Sequence, residues 1–318
     1  MKPDLKLQKA SHYYVRIRRQ PELRVSRYLI VLLLLFWFLL LCTIFMEQLV
    51  NMLLMLTLQK NQSVLPEDMD FCLLIRLLVT SLSVGATFFW CRFLENRPVS
   101  TMHLTKKKIL PDYLTGMLLG FAMMTVIVLA AWAFGALRYE GMQPAERPLM
   151  MLLLFAGWII QGFSEELIFR GWLMTSIGTH HSPWTAVIFS AVNFAAVHFS
   201  NDGFSVSAVV NLMLFGIVTA IYVLRTGSLW GAAALHSIWN WAQGNFYGMQ
   251  VSGIHTGTTV FSFAQTGNAK WIGGGRFGLE AGAGTTAVLL LTAVILLLLP
   301  QRFEKNTEYT EENENGTV

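Results

Sequence analysis

Three short patterns carry the side chains most able to do chemistry. The first runs from Gly162 to Gly171 and contains Glu165, Glu166 and Arg170; the second pairs Phe194 with His198; the third pairs His236 with Asn240. On a helix Glu166 and Arg170 stand four apart and face each other, so one carboxylate is neutralised locally. Glu165 turns ~100° away and has no such partner on its own helix. Burial would raise its pKa and the nearby guanidinium would lower it, a balance suited to a general base near neutrality. Each pattern also has a plain structural reading. Glu166 and Arg170 could form an ion pair with Glu165 as a spare acid, His198 could be a hydrogen-bonded packing residue, and His236 with Asn240 could join helices.

These patterns lie on segments that read as membrane spans. The 318 residues are 54% hydrophobic and 13% charged, about half the charged share of a soluble domain. Apolar runs able to cross a hydrocarbon core of ~30 Å cover 28–46, 71–90, 113–137, 149–177, 183–199, 206–224, 229–246 and 286–299. The expected architecture is therefore all-α, a polytopic membrane bundle of about eight transmembrane helices. With ~1.5 Å of rise per residue, Glu165, His198, His236 and Asn240 lie roughly 18, 22, 10 and 16 Å from the inner ends of their spans, depths at which they can meet. Ionisable groups at such depth need a partner or a function.

Sixteen Lys and Arg fall on the segments that share a side with the leading tail and five on the opposite side. This bias places both termini in the cytoplasm of a cell-membrane protein. The first apolar run starts too late and is too long for a cleaved signal peptide, so it is expected to remain as an anchor. Residues 1–27 read as a basic cytoplasmic tail, 28–148 as N-terminal transmembrane helices, 149–300 as the core bearing the three patterns, and 301–318 as a disordered polar cytoplasmic tail. The Gly-rich stretch 243–284 is either an ordinary outer loop or a lid or re-entrant piece near the site. Glu47 is expected to snorkel to an interface, Arg76 to make a polar contact or face water, and His180 and His181 to be solvated. Cys42, Cys72 and Cys91 have no paired spacing and read as packing residues. The +4 net charge comes without a nucleic-acid motif, so nucleic acid is excluded as a partner.

Taken in order, EExxxR at Glu165–Arg170, FxxxH at Phe194–His198 and HxxxN at His236–Asn240 resemble the CAAX protease and bacteriocin-processing family of intramembrane proteases, which is related to the type II CAAX prenyl endopeptidases. The resemblance covers roughly 149–299, and Gly273–Glu280 resembles the glycine-rich stretch that follows the third motif in prokaryotic members. It implies an endopeptidase in which Glu165 activates water with help from His198, while His236 and Asn240 stabilise the oxyanion. Glu166, Arg170 and Phe194 would hold the site in shape. HExxH is absent, so the resemblance admits Zn2+ only on Glu165, His198 and His236 from separate helices; a metal-free glutamate mechanism competes with it. The implied partners are membrane lipid and a peptide or membrane-protein substrate, lipidated or bacteriocin-like. Two other functions compete: a non-catalytic immunity or scaffold protein that binds a peptide without turnover, and a proton-coupled transporter. The transporter is disfavoured because no inverted repeat is evident.

Overall fold

The computed structural model describes residues 7–20, 22–60, 69–143, 146–267 and 269–299. The tail 301–318 and most of the connection 59–70 lie outside these described residues. The first helix, α1 (Gln8–Arg18), falls in the basic segment that sequence reading left without structure. It is followed by α2 (Leu29–Lys60), then by α3 (Met69–Val79), α4 (Ser81–Phe89) and a π-helical turn (Trp90–Leu94), which together form one long rod. After α5 (Ile109–Ala133), a rod made of α6 (Pro148–Glu166), a π-helical turn (Leu167–Leu173) and α7 (Met174–Gly178) crosses the bundle. The remaining helices are α8 (Pro183–Ala196), α9 (Val206–Thr226), α10 (Leu229–Trp241) with its π-helical extension Ala242–Phe246, the short α11 (Lys270–Gly273), and α12 (Ala283–Leu298).

Among the described residues five rods are long and apolar enough to cross a membrane: 29–57, 69–94, 109–133, 148–178 and 206–226. The helices α8 and α12 are apolar but shorter. The bundle turns bulky apolar side chains outward, Leu34, Leu118, Leu152 and Leu291 among them, as a protein with lipid around it must. Two expectations need correction. The third span stops at Ala133 instead of Leu137, and the fold is not purely helical, because β1 (Leu137–Met142) pairs antiparallel with β2 (Phe261–Gln265). Gly135 supplies the left-handed turn that ends the helix. Tyr139 then meets Phe263 across the pair at 5.2 Å, a cross-strand contact that no helical periodicity announces.

The two ends of the bundle have separate fastenings. At the end rich in Lys and Arg, the Tyr13 hydroxyl donates to the Thr101 carbonyl at 2.8 Å, and the Trp230 indole to that of Thr105 at 2.8 Å. Arg225 donates to the Leu297 and Leu299 carbonyls. A buried Arg97–Glu95 pair at 3.0 Å is completed by Trp172 and Ser176. His180 meets the Val25 carbonyl at 3.2 Å and both His180 and His181 are half-buried, so these imidazoles are less solvated than expected. At the opposite end Asp70 accepts from the Gly257 amide at 2.8 Å and the Thr258 hydroxyl at 2.5 Å. There Asn211 also donates to the Glu280 and Gly282 carbonyls. These bonds tie the 243–282 stretch across the helix ends.

Candidate active site

Small residues set the approach of the helices that carry the three patterns. α10 packs between α5 and α6, and at Gly162 a Cβ would stand 2.5 Å from the Ser237 hydroxyl. Only glycine allows the two backbones so close, and one turn further along α6 this approach brings Glu165 and Glu166 to His236. The helix changes character at this point, passing into the π-helical turn that holds Arg170. Such turns recur at functional sites because they re-aim side chains that a regular helix would stack.

Glu166 and Arg170 are both fully buried and stand 3.1 Å apart. The guanidinium lies off the hydrogen-bonding direction and instead sits 4.5 Å over the Phe194 ring. This cation–π contact offsets part of the cost of a desolvated cation. Glu166 accepts a second contact from His236, whose Nδ1 donates to its Oε1 at 2.9 Å. A carboxylate can only accept, so the proton of the neutral imidazole is on Nδ1 and Nε2 is left facing Glu165. That Nε2 lies 3.8 Å from Glu165 Oε2, a gap that one water molecule can bridge. Glu165 Oε2 is buried and has no hydrogen-bond partner among the described residues, while Oε1 accepts from Gln161 Nε2 at 2.6 Å. Gln161 in turn accepts from Asn240 Nδ2 at 3.0 Å, so Asn240, Gln161 and Glu165 form one relay.

His198 lies past the end of its helix and not within it as the span 183–199 required, since α8 stops at Ala196 and a short turn follows. Its Nδ1 donates to the Phe194 carbonyl at 2.8 Å, which leaves Nε2 as an acceptor. Phe194 is the common wall of the site, with its ring 4.9 Å from the His198 ring and 5.8 Å from that of His236. The four expected residues Glu165, His198, His236 and Asn240 all line one cavity of about 350 Å³, within the usual range for ligand sites.

That cavity also holds residues that sequence reading missed or misplaced. Gln161 precedes Glu165 by one helical turn, a spacing that could have revealed it. Glu47 does not snorkel outward; it lines the cavity and accepts a hydrogen bond from the Ser83 hydroxyl. The stretch 243–284 covers the cavity: Glu280 lines it, accepts from the Ser252 amide at 2.5 Å and hydroxyl at 2.8 Å, and takes the Trp239 indole at 3.3 Å. Part of that stretch therefore lies at the site, as the second of its two readings expects. Arg76 faces the cavity from α3. Of the cysteines, Cys91 is buried but Cys42 is exposed on the outer surface of the bundle.

The donors that the resemblance would offer to zinc are not drawn into one coordination sphere. Among the described residues no three His, Cys, Asp or Glu side chains gather closely enough to share a metal ion, although both histidines bond through Nδ1 and keep Nε2 free, as histidine metal ligands do. Without a third donor drawn in, the described arrangement falls short of the three protein ligands of a catalytic zinc site.

Residues 147–242 match the family model described as type II CAAX prenyl endopeptidase Rce1-like. This match covers all three patterns and coincides with the resemblance read from their order. No curated protein matches the chain.

Proposed function

We propose that this membrane protein is an intramembrane endopeptidase that hydrolyses a peptide bond in the cavity around Glu165. The observation that carries this reading is the buried, unpartnered Glu165 Oε2 set 3.8 Å from His236 Nε2 inside the bundle. Glu165 takes a proton from a water held between it and the histidines, and the resulting hydroxide attacks the substrate carbonyl. His198, with Nε2 as acceptor, orients that water. Glu165 passes its proton to His236 Nε2, and the imidazolium donates to the oxyanion and then gives the proton to the leaving amine as the C–N bond breaks; Glu166 steadies the positive charge as a carboxylate does in a catalytic triad. The second Nδ2 proton of Asn240, unused by Gln161, is the other donor. Gln161, Glu166, Arg170 and Phe194 are positioning residues. The match to a peptidase family supports the reaction class. No step here passes through a metal.

The substrate is proposed to be a peptide or membrane protein in the cell membrane, lipidated or bacteriocin-like. The test compares membrane proteomes of cells carrying the wild-type chain and Glu165→Gln. We expect the variant to insert normally and to accumulate an uncut peptide or protein. A phenotype fully retained by the Glu165→Gln chain, with no accumulated precursor, would favour the immunity or scaffold reading.

A further inference from the structure

Outside the three patterns, the feature that asks most for a ligand is Arg76. It lies within the span 69–94, roughly 10 Å from the start of α3 at ~1.5 Å per residue. It makes no hydrogen bond or ion pair among the described residues. Its side chain is exposed and faces two hollows of the bundle rather than being desolvated, and an ionisable group kept in water within a span is a candidate ligand contact.

Arg76 stands where two hollows meet. Beyond the cavity of Glu165 lies a second hollow of about 500 Å³, and Arg76, Ser200, Asn201, Ser252 and Ile254 line both. The second hollow is bounded by the first turns of α3, the turn after α8 and the 243–282 cover, so it opens at the end of the bundle away from the Lys- and Arg-rich loops. The acids nearby have contacts other than Arg76, although Glu165 keeps Oε2 free. Glu47 is held by Ser83, Glu165 by Gln161, Glu280 by Ser252 and Trp239, and Asp202 lies 3.5 Å from Arg276. Arg76 has its hydrogen-bonding fork unused and, unlike the buried Arg170, turned to the hollows. The planar fork matches a carboxylate in geometry as well as charge.

We propose that Arg76 is a specificity-determining residue that binds a carboxylate of the peptide substrate in the throat between the two hollows. The inference rests on the endopeptidase reading of the cavity. A peptide coming from the outer hollow would be anchored at Arg76 by its carboxylate, with the segment beside the anchor laid along Glu165. The carboxylate can be the chain terminus or an acidic side chain, and the experiment separates these sources.

The test is a binding measurement that needs no cleavage. Full-length chain carrying Glu165→Gln is immobilised in lipid nanodiscs and offered three N-acetylated hexapeptide mixtures of Ala, Val, Leu and Phe. One has a free C-terminus, one a C-terminal amide, and one a C-terminal amide with a single Glu added. We expect the free-terminus mixture, the Glu mixture or both to be retained about tenfold better than the plain amide, which corresponds to ~1.4 kcal/mol. Adding Arg76→Gln should abolish that preference and Arg76→Lys should restore part of it. Unfolding midpoints of the variants confirm that each is folded, and wild-type chain at 4 °C repeats the comparison without the Glu165 substitution. If plain amide and carboxylate mixtures are retained equally, or if neither is retained, the proposal is overturned. A preference that survives Arg76→Gln overturns it as well, as would be expected if Arg76 only balanced the charge of the cavity acids. Carboxylate selection by Arg76 in a chain whose wild-type form cuts nothing would instead sink the peptidase reading and leave the binding site standing.

Discussion

Glu166→Gln should separate the two tasks assigned to that carboxylate, and the separation can be measured. Glu166 and Arg170 are both wholly buried at 3.1 Å. Removing one charge of a buried pair leaves the other unpaired and costs about 3–5 kcal/mol. The lower end of that range applies here, because Arg170 keeps the Phe194 ring 4.5 Å below it and a cation–π contact in a dry site is worth about 2 kcal/mol. The same substitution removes the anionic acceptor of His236 Nδ1. A glutamine amide can turn its N–H toward that nitrogen and favour the opposite tautomer, and loss of an orienting carboxylate in this manner lowers turnover by on the order of 10⁴-fold in a catalytic triad. Glu166→Gln combined with Arg170→Met removes both charges. Replacing a buried ion pair by neutral groups is commonly near neutral for stability, so the double variant should recover most of the lost stability while staying inactive. Stability is read from tryptophan fluorescence during unfolding in detergent, with Trp172 and Trp239 buried in the bundle; activity is read from the cleavage products found in the proteome comparison. A double variant as unstable as the single one, or one whose turnover returns with its stability, would refute the reasoning.

Three further outcomes follow from the geometry. Because Glu165, His198 and His236 do not form a metal-binding set, purified protein should carry no stoichiometric zinc by elemental analysis and should keep its cleavage activity after chelation; zinc lost together with activity would reverse this reading. Burial, with Arg97 second, pushes the His103 imidazole in the basic-end loop down to about 3. A depressed folded-state value means that the unfolded chain binds the extra proton first, so this contribution to stability is present above pH ~6.5 and is lost as pH falls toward 3. His103→Gln should therefore flatten the acid side of the stability profile between those limits, and an unchanged slope would exclude His103 as its source. Burial also raises the neighbouring Glu95, which acts in the opposite sense and is to be held constant. Finally, Cys72 lines the outer hollow, so in a chain with Cys42→Ala and Cys91→Ala a membrane-impermeant maleimide should label it from the side opposite the N-terminal basic segment. Labelling from the other side alone would contradict the access route.

What the sequence could determine by itself was local. Hydrophobic runs mark spans because lipid imposes apolar surface along a whole helix, and 149–177 anticipates the rod 148–178 almost to the residue. The four-residue spacing of Glu166 and Arg170 likewise foretells their contact, since helical rise and twist are the same everywhere. Tertiary structure decided what else shares the cavity. Glu47 and Arg76 stand far from the three patterns in the chain and look like isolated charges; only the packing of α2 on α3 and α4, and of α3 and α4 on α6, sets them on the cavity. Glu280 reaches the cavity through a long loop whose path no periodicity encodes. The β1–β2 pair and the end of α8 two residues before His198 depend on turns and on distant partners. The reason is range: helical pattern repeats every few residues, whereas a site built from five helices and a loop depends on how closely their backbones meet, and at Gly162 that approach is set by the absence of one carbon atom.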